Sequence, residues 1–401
     1  MTRSTRLLII GAGPYGLAMA AYCKHLGLDY VLVGEPMSFW KNHMPRGMYL
    51  RSRCDWHLDP LDVYTLEHYL QTKGLTPSQA EPLSLPLYLD YAEWFQRQRL
   101  IESLHVLVER LDVKDGSSNR FEALLSDGLV IRADNVLVST GYGACAHIPE
   151  ELARILPEGR FWHSRDFVDF DSLKGQSCLI IGGRQSAFEA AALACEGGAA
   201  KVHVSHRHET PAFAPADWSW VNPLLEQSVG NPGWYKRLSE EEKQALIQRM
   251  WSIGRKQLEA WLWPRLDNKT VQLWPNSRAV AFREVPSGKV EVELDTGSRL
   301  SVDTIILATG YKTDVSRLPF MTRGNVMQRL DVKNGIPVLD DHFQSSLSGL
   351  YFTNRFASAH FGNFFDFTAG VRASARIIGA ALSASLFKAP PSLSHSSTAS
   401  H

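Results

Sequence analysis

The sequence predicts an α/β protein made of two sheet-and-helix units, with the second unit inserted into the first. Three observations predict it. "LLIIGAGPYG", Leu7 to Gly16, joins a short apolar strand to a glycine turn and the start of an apolar helix. "CLIIGGRQSAFEAAALACEGGAAKVHVSHRHE", Cys178 to Glu209, repeats that pattern. "NVLVSTGYG", Asn135 to Gly143, and "TIILATGYKTD", Thr304 to Asp314, are apolar strands ending in the same Thr-Gly-Tyr, and they bracket the repeat.

In the first unit each glycine has a task. Gly11 permits the tight turn, Gly13 lets backbone approach a pyrophosphate, and Gly16 allows helix and strand to meet closely. Pro14 suits the first helical position, and the phosphates would sit on the helix N-terminus. Gly27 is a helix stop, and a second strand, Tyr30 to Val33, leads to Glu35, where an acid binds ribose hydroxyls. Arg3, Arg6 and the apolar run to Tyr22 also have the outline of a secretory signal, but a signal needs only hydrophobicity and would leave three glycines and a proline without purpose.

In the second unit Gly182 takes the part of Gly11, followed by Gly183, Gln185 and Ser186 at the helix start. Arg184 occupies the third motif position, where glycine usually keeps the turn bare; it would either contact the pyrophosphate or weaken cofactor binding. The strand Lys201 to Ser205 leads into His206-Arg207-His208 where the first unit carried Glu35. A carboxylate repels a 2′-phosphate, whereas arginine pairs with it through two parallel hydrogen bonds, so NADPH suits this unit better than NADH. The alternative is that Arg207 is a solvated strand-end arginine.

These are read as two Rossmann-like dinucleotide-binding domains. Thr140-Gly141 and Thr309-Gly310 suit points where a chain leaves one sheet for another. The expected division is a first domain from residues 1–142 and 304–388, and an inserted NADPH-binding domain from residues 143–303. Within the insert, residues 212–265 form a helical, tryptophan-rich excursion. Ser239 and Glu242 make a capping box there, and Leu246, Met250, Ile253, Leu258 and Leu262 give one continuing helix an apolar face. Trp218, Trp220, Trp234, Trp251, Trp261 and Trp263 suggest core or lid packing, or an aromatic pocket.

Composition narrows the partners. Lysine plus arginine and aspartate plus glutamate are balanced at 42 each, so no overall field draws nucleic acid or an anionic membrane surface; a small-molecule substrate is expected. The five cysteines are odd in number and include no C-x-x-C pair, which points to reduced packing residues and a cytoplasmic protein. No apolar run reaches the roughly 20 residues of a membrane span. Residues 389–401, rich in serine, proline and histidine, are expected to be disordered.

Glu35 with the first unit, the charge-reversed second unit and the paired Thr-Gly strands together resemble the FAD- and NADPH-dependent class B flavoprotein monooxygenases. "GGRQSAFEAA" is most similar to the lysine and ornithine N-hydroxylase branch through Gln185-Ser186-Ala187 and Glu189, as is "ATGYKTD" from Ala308 to Asp314. In "PEGRFWHSRDF", Gly159, His163 and Phe167 match the family fingerprint between the two motifs; Pro157 stands where it has phenylalanine, and Phe167 where ketone-inserting members carry tryptophan. "GLYFTNRFASAHFGNFFDFTAG", Gly349 to Gly370, resembles the closing FAD segment, with Asn354 in place of a glycine. "MPRGMYLRSRCDWHLDP", Met44 to Pro60, resembles the segment beside FAD, making Arg51 and Trp40 flavin neighbours by implication.

The resemblance implies FAD in the first unit and NADPH in the second. NADPH would reduce FAD, and the reduced flavin would take up O2 as a C4a-hydroperoxide and transfer one oxygen atom to a small molecule, at a nucleophilic nitrogen or sulfur. It also places His163 at the domain junction near the nicotinamide, either hydrogen-bonding there or serving the structure. Ketone oxidation and flavin-dependent NAD(P)H oxidation without oxygen transfer are the alternatives, as is a redox sensor that binds both cofactors without substrate. No H-E-x-x-H or other metal spacing and no nucleophilic triad is found, as flavin chemistry requires none.

Overall fold

Leu7 to Ile10 are apolar and buried, as the middle of a sheet covered on both faces demands, and they end the strand Thr2–Ile10. In the computed structural model, which describes residues 1–388 except 117, 118, 142, 267 and 268, this strand pairs in parallel with Tyr30–Val33 and Val130–Val138. Leu350–Phe352 joins the end of Val130–Val138 in parallel, while Phe121–Leu125 and Val108–Val113 extend the sheet as antiparallel strands. The helix Pro14–Leu26 packs on this sheet, and the helix Val371–Lys388 packs against that helix. The expected disordered tail and the domain-boundary residue Tyr142 lie outside the described residues.

The second sheet is parallel throughout, in the order Val271–Trp274, Lys201–Ser205, Ser177–Ile181, Thr304–Leu307, Phe161–His163. This moves one expected boundary. Thr304–Leu307 pairs with Ser177–Ile181 and Phe161–His163, so the chain leaves the second sheet after that strand rather than before it. Four buried residues, three of them apolar, make a central parallel strand, but nothing in them says which of two parallel sheets they complete. A three-stranded antiparallel meander, Ala279–Glu284, Val290–Leu294 and Arg299–Val302, precedes it.

The two crossings between the sheets run side by side. Lys312 N–H donates to the Cys145 carbonyl at 2.9 Å and His147 N–H to the Gly310 carbonyl at 2.9 Å, and Ala146 bridges to Tyr311.

The excursion also departs from expectation. Ser239 and Glu242 do form the capping box, but the helix Glu240–Gly254 stops well before Leu262. Its stop has a physical cause: glycine is a weak helix former, and the Arg51 guanidinium takes the Gly254 and Ile253 carbonyls, capping the C-terminus from outside. Beyond it Gln257–Leu258 pairs with Ala212–Phe213. The excursion straddles both halves. Trp218, Trp234 and Met250 are buried in the core of the first sheet, while Leu258, Leu262 and Leu266 belong to the core of the second.

Candidate functional site

The two glycine turns are built alike. Gly11 has φ 107°, and a Cβ there would lie 2.7 Å from the Ser139 carbonyl oxygen; Gly182 has φ 156°, and a Cβ would lie 2.5 Å from the Ala308 carbonyl oxygen. Each turn is therefore pressed against the residue before a Thr-Gly pair. The repeated tripeptide belongs to the neighbouring strand that closes each turn.

In the first unit a Cβ on Gly16 would fall 1.9 Å from the Gly11 carbonyl oxygen, whereas a Cβ on Gly13, the helix N-cap, meets nothing within 4 Å. Pro14 takes the first turn of the helix, and Glu35 is exposed at the end of the second strand. Ser139 Oγ donates to the Gly11 carbonyl at 2.9 Å, while Thr140 Oγ1 is buried without a partner and Gly141 follows at φ 67°. Open space at Gly13 and an unsatisfied hydroxyl beside Gly11 are what a dinucleotide phosphate would fill.

In the second unit Gly183 lies under His206 and His208, a Cβ there being 2.6 Å from His208 Nε2. Arg184 is the helix N-cap; its side chain swings out of the turn and donates to the Arg255 carbonyl at 2.5 Å. Gln185 Oε1 accepts from Glu259 N–H at 3.2 Å, and its Nε2 is buried without a partner. Ser186 and Arg207 are exposed, and Arg207 makes no ion pair among the described residues.

One cleft of about 1010 Å³ takes in the second turn but not the first: Gly11, Gly13, Pro14, Gly16, Glu35, Thr140 and Gly141 do not line it. Gly182 to Ser186 and Arg207 line it from the second unit, Phe39, His43, Met44, Met48 and Arg51 from the segment after the first, Thr309 and Gly310 from the crossing, and Asn363, Asp366 and Phe367 from the closing segment. Arg51 faces the excursion as well, with Nε 2.7 Å from Glu259 Oε1. Trp40 does not line the cleft: it is half-buried against the core, with its indole packed on the Tyr88 ring at a centroid distance of 5.0 Å.

His163 is buried and does not line the cleft. Its Nε2 lies 3.0 Å from the Gly310 carbonyl, and its Nδ1 accepts the Arg165 N–H at 3.2 Å. With both nitrogens engaged and burial lowering its pKa, it is a neutral imidazole that holds the Gly310 turn. Thr309 Oγ1 is tied to the His147 carbonyl in that turn.

Two carboxyl groups stand out. Glu189 Oε1 accepts the Tyr49 N–H at 2.7 Å, linking the second unit's helix to the first unit's segment, and burial pushes its pKa up to about 8. Asp366 lines the cleft with Oδ1 unpartnered, and burial raises its pKa, opposed by Arg355. In the sequence Glu189 stands only within its motif, and no motif marks Asp366. A lone acid within the aromatic run "NFFDF" is the signal that would have found it. Among the described residues no group of three or more His, Cys, Asp or Glu is placed to hold a metal ion, and no helix is long and apolar enough to cross a membrane.

Comparison with known proteins agrees with this geometry. A trimethylamine monooxygenase of Pelagibacter sp. (strain HTCC7211) is 24% identical over 274 residues, 61% of this chain and 60% of that protein. This match, like one to a trimethylamine monooxygenase of Methylocella silvestris, spans about three fifths of the relative's length. An ornithine N-hydroxylase of Kutzneria sp. 744 has the same fold, with a TM-score of 0.79 at 15% identity over 96% of this chain and all of that one. A bacillithiol disulfide reductase of Bacillus cereus also shares it, with a TM-score of 0.64 at 19% identity over 96% of this chain and all of that one. The fold expected from the resemblance to class B flavoprotein monooxygenases is borne out. Residues 8–231, more than half of the chain, match the family model described as pyridine nucleotide-disulphide oxidoreductase, and the chain belongs to that family.

Proposed function

We propose that the protein is an FAD- and NADPH-dependent monooxygenase that places one oxygen atom of O2 on a nucleophilic nitrogen or sulfur of a small molecule. The observation that carries this reading is that cleft: it reaches from the second nucleotide turn to Phe39, Met44 and Arg51 in the segment after the first unit, and no cysteine lines it. A disulfide reductase needs a thiol at that place. Burial instead pushes Cys23, Cys54 and Cys178 up to about 12, which keeps them protonated.

FAD, reduced by NADPH, supplies the activation of O2. In this proposal the first turn, with Gly11, Gly13, Pro14 and Gly16, holds the FAD phosphates, Glu35 the ribose, and Thr140 Oγ1 and Gly141 the adjoining groups. The second turn, from Gly182 to Ser186, holds NADPH, whose 2′-phosphate is met by Arg207. Phe39, Met44 and Phe367 restrict water in the cleft between them. Asp366 Oδ1 would accept the proton of an ammonium substrate and leave the amine neutral and nucleophilic. The cofactor-bearing domains are assigned to the two sheets, and a cytoplasmic location agrees with the reduced cysteines.

The test loads the protein with FAD and follows NADPH oxidation, oxygen uptake and hydrogen peroxide release with panels of amines, sulfides and ketones. A substrate-dependent fall in peroxide per NADPH, with an oxygenated amine or sulfide as product, is expected. Equal peroxide with every compound would leave only an NADPH oxidase, and an ester product would shift the assignment to ketone oxidation.

A further inference from the structure

His43 follows the short helix Ser38–Asn42 and lines the cleft, with its side chain 33% exposed. The reaction proposed above gives it no task. Its Nδ1 lies 3.0 Å from the Arg165 carbonyl, and its Nε2 has no hydrogen-bond partner among the described residues. The bond to Arg165 crosses from the segment after the first unit to the turn that follows Phe161–His163, an edge strand of the second sheet.

Carbonyl oxygens only accept, and that decides which ring nitrogens carry hydrogen along this path. The Gly310 carbonyl, 3.0 Å from His163 Nε2, places the proton of the neutral His163 there and leaves Nδ1 to accept the Arg165 N–H at 3.2 Å. The Asp166 N–H donates to the His163 carbonyl at 2.8 Å. That N–H shares its peptide unit with the Arg165 carbonyl, so His163 fixes the oxygen to which His43 is bonded. The Arg165 carbonyl in turn requires Nδ1–H on His43 and leaves a lone pair on Nε2. Asp166 Oδ1 stands farther from His43 Nδ1, at 3.8 Å, and is taken up by Arg165 Nε at 3.0 Å. The rest of the Arg165 guanidinium is tied to the Gly143 carbonyl. Both ends of the path, Gly310 and His43, line the cleft.

We propose that His43 Nε2 is a hydrogen-bond acceptor built into the cleft for an N–H or O–H group of the molecule bound there, with His163 and Arg165 as the positioning residues that fix its tautomer. A flavin ring N–H, a nicotinamide amide and an amine substrate all present this chemistry. The inference rests on the reading of the cleft as a ligand site and not on oxygen transfer. It also gives the fingerprint histidine a task although His163 itself is buried away from the cleft: it sets the hydrogen-bonding face of another histidine.

Nitrogen NMR of protein labelled with 15N-histidine tests this, with His43 assigned by its loss in His43→Gln. Spectra are recorded before and after loading with FAD, then with NADP+ and, separately, with an alkylamine. His43 is expected as the single Nδ1–H tautomer, and one of the three additions is expected to move its Nε2 resonance and so to identify the donor. His163→Leu is expected to give a mixture of both His43 tautomers. His163→Gln, which can donate to Gly310 and accept from Arg165 as the imidazole does, is expected to keep the single form. His43→Leu should weaken binding of the identified donor about fivefold, and His43→Gln by about twofold or less. An Nε2–H tautomer on His43, or an Nε2 resonance that none of the additions moves, would overturn the acceptor. One unchanged tautomer in His163→Leu would overturn the part given to His163. A shifted Nε2 in a protein that oxygenates no compound would keep the acceptor and remove the monooxygenase reading instead.

Discussion

At the helix-capping position the first turn has Gly13, with φ −78° and ψ −170°, and the second has Arg184, with φ −124° and ψ −177°. Both backbones are extended and open to any residue. Glycine at this motif position is therefore not a conformational requirement in this protein; it governs only what fills the space in front of the helix. Three residues on the contrast reverses. Gly16 sits 1.9 Å, by its missing Cβ, from the Gly11 carbonyl, whereas the second unit tolerates Ala187 at the matching place. The two units keep one frame, and each has adjusted it where its own contacts allow.

The largest expected effect tests that asymmetry. Gly16→Ala should destabilise the protein by about 3 kcal/mol through overpacking against backbone and should abolish flavin retention, while Ala187→Gly should cost only about 1 kcal/mol. Thermal unfolding with flavin content measures both, and similar losses would erase the distinction between the turns.

Next comes the joint between the units. Glu189, raised by burial from 4.5 to about 8, is favoured in its protonated form when folded. Its contribution is complete below the ordinary carboxylate range and is lost as pH rises through about 8. Between pH 5 and pH 9 the melting temperature of the unsubstituted protein should lose ground relative to that of Glu189→Gln; parallel curves would deny Glu189 its part in the joint.

A smaller effect is expected for Arg207→Ala, with the ratio of kcat/KM for NADPH over NADH falling about tenfold, equivalent to about 1.4 kcal/mol. An unchanged ratio would make Arg207 a solvated arginine. The smallest change in stability belongs to Gly13→Ala. No atom lies within 4 Å of the added methyl, so unfolding should shift by less than about 1 kcal/mol, and the loss should appear in flavin affinity alone. A large shift in the flavin-free protein would show that Gly13 serves the fold.

Much of the frame was legible because it depends on local chemistry. The strands Leu7 to Ile10 and Cys178 to Ile181, the glycine turns and the capping box at Ser239 each declare themselves within about ten residues of sequence. What was hidden depends on partners far away. The helix from Glu240 ends at Gly254 because Arg51, 203 residues earlier, takes its last carbonyls. Thr304–Leu307 joins the second sheet because its neighbours there are Ser177–Ile181 and Phe161–His163, a choice no tetrapeptide records. The site divided the same way: both turns were visible as motifs, while Trp40 turned inward and Trp251 outward, since an amphipathic pattern cannot say which tryptophan meets a core and which a cleft.

The paired crossings have a consequence for how such a molecule can be inherited. Because Cys145 to His147 and Gly310 to Lys312 are already hydrogen-bonded neighbours, the residues between them begin and finish at one spot. Closing a gap of that kind by a few residues involves little loop entropy, so a whole cofactor module could be gained, lost or exchanged through a single short splice without redirecting the strands on either side.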